Sequence, residues 1–187
     1  SFQELFATLS TGGTVMLVDD DLRLNPLKLL DFIENNGVNR LFLPFVALQL
    51  LADTACQAEK YPSCIQEIMT AGEQLKITPQ LRQFFKALPD ACLYNQYGPT
   101  EAHVVTELPL TGPIENWPEL PTIGFPIDNT EILILDDQYT PVPNGEVGEL
   151  YISGRCLADG YLNNPQLTKE RFFEIELPEK GTVRFYR

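Results

Sequence analysis

The densest run of chemistry-bearing side chains is Asn95-Gln96-Tyr97-Gly98-Pro99-Thr100-Glu101. Tyr97 offers a flat ring on which another flat aromatic molecule can lie. Gly98-Pro99 forces a turn, so the residues that follow leave the line of those before. Thr100 brings a hydroxyl that can reach a phosphate. Glu101 brings a hard carboxylate oxygen of the kind that suits Mg²⁺. A nucleotide carrying its metal would use all of these groups. The same seven residues also read as a strand-to-loop turn whose glutamate is satisfied locally, and residue chemistry alone leaves both readings open.

Other chemistries find less support. There is no G-x-x-x-x-G-K-[ST] and no G-x-G-x-x-G, which argues against a P-loop ATPase and a Rossmann dehydrogenase. Gly12-Gly13 reads as a turn. A hydrolase triad lacks its G-x-S-x-G, and the chain has a single histidine, His103. That imidazole is expected to be partly buried and hydrogen-bonded, with no catalytic role. Cys56, Cys64, Cys92 and Cys156 show no C-x-x-C spacing, so they read as reduced thiols of a cytosolic protein rather than zinc ligands. Asp19-Asp20-Asp21 reads as a solvated loop. With 13 basic and 26 acidic residues the net charge is −13. That disfavours nucleic acid and anionic membranes as partners, though backbone N–H groups can still hold a small anion. The longest apolar stretch, 41–52, is broken by Pro44 and Gln49 and falls short of the ~20 residues of a membrane span.

The elements that must position these residues alternate between helix and strand in the first half. Helices are expected over 2–9, from Pro26 to Asn36-Gly37, over 44–58 and over 78–88; strands are expected over 14–18, 40–43, 66–70 and 91–94. Repeated strand-then-helix units with near-continuous apolar strands imply a parallel sheet with helices on its faces. Ligands in such folds sit at the carboxyl ends of the strands. Three of those ends carry polar or glycine-containing segments: Leu43-Pro44, Thr70-Ala71-Gly72-Glu73, and Asn95 to Gly98. The character changes near residue 106. Nine of the 15 prolines follow it, and the strands expected over 131–135 and 148–153 suggest a β-meander with turns at Asp136-Asp137 and Pro143-Asn144-Gly145. The expected fold class is α/β: a parallel, flavodoxin-like subdomain flanked by helices over 1–106, then a mostly β subdomain over 107–187.

The Asn95–Glu101 run, NQYGPTE, resembles the N-x-Y-G-P-T-E signature of the adenylation domains of nonribosomal peptide synthetases, in the superfamily that includes acyl-CoA synthetases and firefly luciferase. A second block, GELYISGRCLADGYLNNPQLTKERF over 148–172, resembles the family's G-E-L-x-I-x-G-x-G-x-A-R-G-Y-L. It departs at Cys156, where the family has Gly, and at Asp159, where it usually has Arg. Phe185-Tyr186-Arg187 looks like the opening of Y-R-T-G-D-L, and SFQE like the end of F-D-x-S. The chain begins and ends in mid-pattern and is expected to be a piece of a longer protein. By the resemblance, the phosphate loop, the ribose-binding Asp, the hinge and a mobile lysine-bearing subdomain lie outside it, so the piece alone is expected to be inactive.

The resemblance implies roles residue by residue. Asn95 would bond the adenine amino group and Tyr97 would stack on the ring. Gly72 and Glu73 would pass beside it, with Gln96 and Gly98 in the same segment. Thr100 would contact phosphate and Glu101 would hold Mg²⁺. The reaction implied is attack of an amino-acid carboxylate on the α-phosphorus of ATP, giving aminoacyl-AMP and pyrophosphate. The acyl group would then pass to the phosphopantetheine thiol of a peptidyl carrier domain, with a condensation domain as neighbour. The amino-acid pocket implied comprises Gln3, Phe42, Met69, Ala71, Gln96, Val104 and Val105. It is apolar with two amides, which disfavours charged substrates. It is similar to the family's proline-type pattern Q-[LF]-I-A-H-V-[VA], with Met69 for Ile and Gln96 for His. Proline or a ring-methylated proline is the expected substrate and a leucine-like residue the runner-up. An acyl-CoA or aryl-acid ligase, or a non-catalytic nucleotide-binding module, is the alternative to amino-acid activation.

Overall fold

A computed structural model describes residues 2–177 and 181–187. Ser1, the first residue of the SFQE segment, lies outside the described residues. The chain forms two compact units: one contains the residues through Asn95 together with Pro109–Thr122, the other Gln96–Leu108 and Ile123–Arg187.

The first unit runs α1 (Phe2–Ser10), α2 (Asp20–Arg23), α3 (Pro26–Asn36), β1 (Arg40–Phe42), α4 (Phe45–Ala58), β2 (Glu67–Thr70), α5 (Pro79–Lys86) and into β3 (Cys92–Tyr97), which crosses the boundary. Local chemistry sets the helix ends. The Asn25 side chain accepts from the Lys28 N–H ahead of Pro26, and Gly37, at φ 62°, closes α3 with its N–H on the carbonyls of Ile33 and Glu34. Thr78 Oγ1 caps α5 by accepting from the Leu81 N–H at 3.2 Å. Pro44, ahead of α4, has no capping side chain; a distant carboxylate, Glu73, takes up the Val46 N–H at 3.4 Å.

β1, β2 and β3 pair in parallel, with Phe42 opposite Met69 and Thr70 opposite Asn95. Helices α4 and α5 are the crossovers that parallel pairing demands. Ile68 and Leu93 are wholly buried in the sheet, as are Leu48, Leu51, Ala52 and Ala55 of α4, Leu81, Phe84 and Phe85 of α5, and Leu30 and Ile33 of α3. A 3-10 turn, Ile114–Asn116, leads to Trp117, whose ring centre lies 5.3 Å from that of Phe85. The Arg82 guanidinium donates to the carbonyls of Ile114 and Trp117.

β4 (Thr106–Leu110) and β5 (Phe125–Pro126) pair antiparallel. The strand order of this sheet is β1-β2-β3-β4-β5. The second unit also holds β6 (Thr130–Leu135), β7 (Glu149–Gly154), α6 (Pro165–Arg171), β8 (Phe172–Leu177) and β9 (Gly181–Tyr186). These strands form a sheet of order β6-β7-β9-β8, antiparallel throughout. Two apolar clusters support it: Ala102, Val105 and Ile152 in one, Leu135, Tyr151 and Phe185 in the other.

Several expectations give way. Residues 14–18 form no strand; Met16, Leu17 and Val18 are exposed. A β-prone run becomes a strand only against a partner edge. The aspartate run is no bare loop either: Asp19 accepts from the Leu22 N–H at 2.8 Å and caps α2. β3 runs through Tyr97, so Asn95, Gln96 and Tyr97 belong to the strand rather than to the loop after it. β4, β5, β8 and β9 have no counterpart among the expected strands, nor α2 and α6 among the expected helices. The Asp136 turn holds, with its carboxylate accepting from the N–H groups of Gln138 and Thr140. All four cysteines are free thiols. Among the described residues no helix is long and apolar enough to cross a membrane.

Leu93→Ala, in the wholly buried middle of β3, is expected to lower the unfolding free energy by about 2–5 kcal/mol. Leu17→Ala, 84% exposed, is expected to change it by under about 0.5 kcal/mol. Urea unfolding of the two variants checks both values.

Candidate functional site

Parallel pairing brings the carboxyl ends of β1, β2 and β3 to one edge, and Phe42, Met69, Ala71, Gly72, Glu73 and Asn95 lie at or just beyond those ends. Phe42 and Met69 are register partners and half-buried. Ala71, two residues beyond Met69, and Gly72 and Glu73 are exposed. Gly72 has φ 87° and no atom within 4 Å of where a Cβ would stand, so the left-handed backbone calls for glycine and the space beside it is open. The Glu73 carboxylate faces the first turn of α4, where it complements the helix dipole. Asn95 is 5% exposed and donates its amide N–H to the Thr122 carbonyl at 2.8 Å. That bond fixes the amide's orientation and leaves Oδ1 as the acceptor it can offer. Gln3 is half-buried in the first turn of α1.

In the second unit β3 ends at Tyr97, which is 36% exposed. The Tyr97 carbonyl accepts from the Val105 N–H at 2.8 Å and closes the intervening residues into a loop. The loop folds back so tightly that a Cβ on Gly98 would stand 1.4 Å from the His103 carbonyl oxygen; only glycine fits. His103 sits at φ 58° and is exposed, not partly buried as expected. At the tip Thr100 is exposed and Glu101 half-buried. Val104 is half-buried, and Val105 packs wholly buried against Ala102 and Ile152.

Glu101 is tied down at two points. Its carbonyl accepts from the Ala158 N–H at 2.8 Å, and its Oε1 accepts from the Tyr161 hydroxyl at 2.5 Å. The tyrosine bond holds the Glu101 carboxyl below the usual carboxylate range, helped by a bond from Tyr186 and the charge of Arg171 against the opposing effect of burial. The same bond pushes the Tyr161 phenol up.

Gln96 is 5% exposed. Its amide N–H donates to Glu107 Oε2 at 2.6 Å, and its Oε1 is buried without a partner. A buried acceptor left unpaired costs about 1–3 kcal/mol. Glu107 thus places a carboxylate directly behind a residue expected to sit among uncharged neighbours.

Sequence reasoning missed Tyr161, Tyr186, Glu107 and Thr122 as partners of the candidate residues. Tyr161 stands 60 residues from Glu101, and no local pattern joins them. The GELYISG block that contains Tyr161 was the available signal. A groove of about 400 Å³ is lined by Phe85, Asp90, Cys92, Leu110, Ile114 and Trp117. It opens beside the first residue of β3, the end opposite to Asn95, which is the wrong end for a ligand in a parallel sheet.

The family model described as AMP-binding enzyme matches residues 1–162. Tyrocidine synthase 2 of Brevibacillus parabrevis is 41% identical over 186 residues, which span the whole chain and 5% of that protein. Gramicidin S synthase 2 of Brevibacillus brevis is 38% identical over 186 residues, the whole chain and 4% of that protein. This chain therefore spans about a twentieth of the curated relatives it matches. Among solved structures, a holo four-domain nonribosomal peptide synthetase bound to AMP and glycine superposes with a TM-score of 0.82 at 28% identity, over 98% of this chain and 13% of that one. The N-terminal subdomain of Klebsiella oxytoca NpsA, in complex with 3-hydroxybenzoyl-AMSN, shares the fold at TM-score 0.77 and 24% identity, over 98% of this chain and 45% of that one.

The lowered Glu101 pKa adds stability that is complete above the unfolded-state value near 4.5 and is lost as pH falls through the folded-state value. Tyr161→Phe is expected to raise the Glu101 pKa, read by NMR titration of its labelled carboxyl. The variant's deficit in unfolding free energy at pH 7 is expected to shrink as pH falls below 4.5.

Proposed function

The chain belongs to the AMP-binding enzyme family, and we propose that it is the central part of a nonribosomal peptide synthetase adenylation domain that activates an amino acid with ATP. The observation that carries this reading is the Asn95–Glu101 run: it leaves a parallel strand at its carboxyl end and turns on a glycine that no other residue can replace. Relatives and structural neighbours among nonribosomal peptide synthetases support it.

The residues fit a nucleotide. Asn95 Oδ1 is an acceptor suited to an adenine amino group, because Thr122 already holds the amide's donor side. Tyr97 and Thr100 are both exposed, which leaves a ring for stacking and a hydroxyl for a phosphate. They also fit a metal that arrives with the nucleotide. Among the described residues no group of three or more His, Cys, Asp or Glu could hold a metal ion. The chain thus offers Glu101 as a single carboxylate, which matches Mg²⁺ carried largely by phosphates and water. The ion, when bound, neutralises charge on the phosphates. The chain's own share is positioning: Asn95 and Tyr97 orient the base, and the tethered loop holds Thr100 and Glu101 in place. The amino-acid carboxylate attacks the α-phosphorus, pyrophosphate leaves, and the aminoacyl-AMP is passed to a phosphopantetheine thiol on a peptidyl carrier domain. A condensation domain is the proposed neighbour. On their own, the 187 residues are proposed to bind nucleotide weakly and not to turn over.

The proposed substrate is proline or a ring-methylated proline, with a leucine-like residue as runner-up. Phe42 and Met69 side by side leave limited volume. The Gln96 amide, held by Glu107, adds polarity to it.

ATP–pyrophosphate exchange by the intact protein, across the amino acids plus a fatty and an aryl acid, tests the reading. A dominant proline signal is expected. Exchange with another amino acid would keep the reaction and displace the pocket reading; exchange with the other acids alone would make it an acyl or aryl-acid ligase. Glu101→Gln is expected to lower exchange by on the order of 100-fold.

A further inference from the structure

A carboxylate that serves a metal does so best when its other oxygen is held by a hydrogen bond. Glu101 has such a holder. Tyr161 lies between β7 and α6, and its hydroxyl donates to Glu101 Oε1 at 2.5 Å. Tyr161 is itself fixed. Its N–H donates to Thr168 Oγ1 at 2.9 Å. Its ring packs edge-on to Phe172, with centres 5.8 Å apart. Phe172 in turn meets the ring of Tyr186 at 5.1 Å, whose hydroxyl also helps to lower the Glu101 pKa. A phenol is a neutral donor: it fixes one oxygen without placing a positive charge where a cation must sit.

We propose that Tyr161 is a positioning residue of the nucleotide–metal site, holding Oε1 of Glu101 so that the other carboxylate oxygen is presented to Mg²⁺ on ATP. The inference rests on the reading of Glu101 as the metal's carboxylate. A staple that merely ties the loop to the second sheet would use the same bond, so the test must separate holding a metal from holding a fold.

The experiment uses the intact protein and Mn²⁺ as probe. Electron paramagnetic resonance gives the affinity of the ATP complex for Mn²⁺, and calorimetry in EDTA gives the affinity for ATP without metal. Tyr161→Phe retains the ring against Phe172. It is expected to weaken Mn²⁺ binding about 10–100-fold and to leave metal-free ATP binding unchanged. Tyr161→Phe combined with Tyr186→Phe is expected to weaken Mn²⁺ binding at least as far. Glu101→Gln tells the two levels of failure apart. If it weakens Mn²⁺ binding while both tyrosine variants bind Mn²⁺ normally, the positioning role is overturned and the reading of Glu101 stands. If Glu101→Gln itself binds Mn²⁺ normally, the reading of Glu101 falls and the inference with it. Equal losses of Mn²⁺ and metal-free ATP binding in Tyr161→Phe would make the bond a structural staple and overturn the proposal.

Discussion

The parallel pairing of β1, β2 and β3 is the constraint on which the rest of the first unit depends. Parallel strands cannot be joined by tight turns, so α4 and α5 are obligatory, and each must bury an apolar face. Leu48, Leu51, Ala52 and Ala55 on one and Leu81, Phe84 and Phe85 on the other meet that requirement. The same pairing aligns all three carboxyl ends on one edge. That is why Phe42 stands beside Met69, and Thr70 beside Asn95, although they come from separate stretches of chain.

Beyond β3 the loop is governed by close approach. The Val105 N–H on the Tyr97 carbonyl pins its two ends, and the missing side chain of Gly98 lets the backbone near His103 pass. Such a loop has few conformations left to lose on binding a ligand, so Thr100 and Glu101 are held in advance. Glu101 then draws its side-chain hydrogen bond from Tyr161, and the lowered pKa is the electrostatic trace of that arrangement.

An acidic chain of net charge −13 is an unpromising host for a nucleotide if charge is merely summed. Local disposition matters more, because exposed carboxylates beyond about 8–10 Å are largely screened at physiological salt. Several acidic groups are also occupied with the fold. Glu73 serves the N-terminus of α4, Asp19 caps α2, and Glu34 accepts from the Ser63 N–H at 2.7 Å.

Much of this was legible in the sequence because it is local. Pro26 and Asn36-Gly37 announced α3, apolar runs announced β1 to β3, and the Asn95–Glu101 run marked the candidate site. The strand expected over 14–18 failed because β-propensity becomes a strand only where a partner edge exists. Strands β4 and β5 went unseen because they are short and carry proline, a composition that reads as loop; β8 and β9 went unseen as well, although each is six residues long and free of proline. The amino-acid order by itself determined the four longer helices of the first unit, the character of the parallel sheet and the chemical inventory of the candidate site. Only the tertiary structure decided that Tyr161 holds Glu101 and that Glu107 holds Gln96. A hydrogen bond between residues far apart in the chain depends on where the folded backbone carries them, and no local preference encodes that.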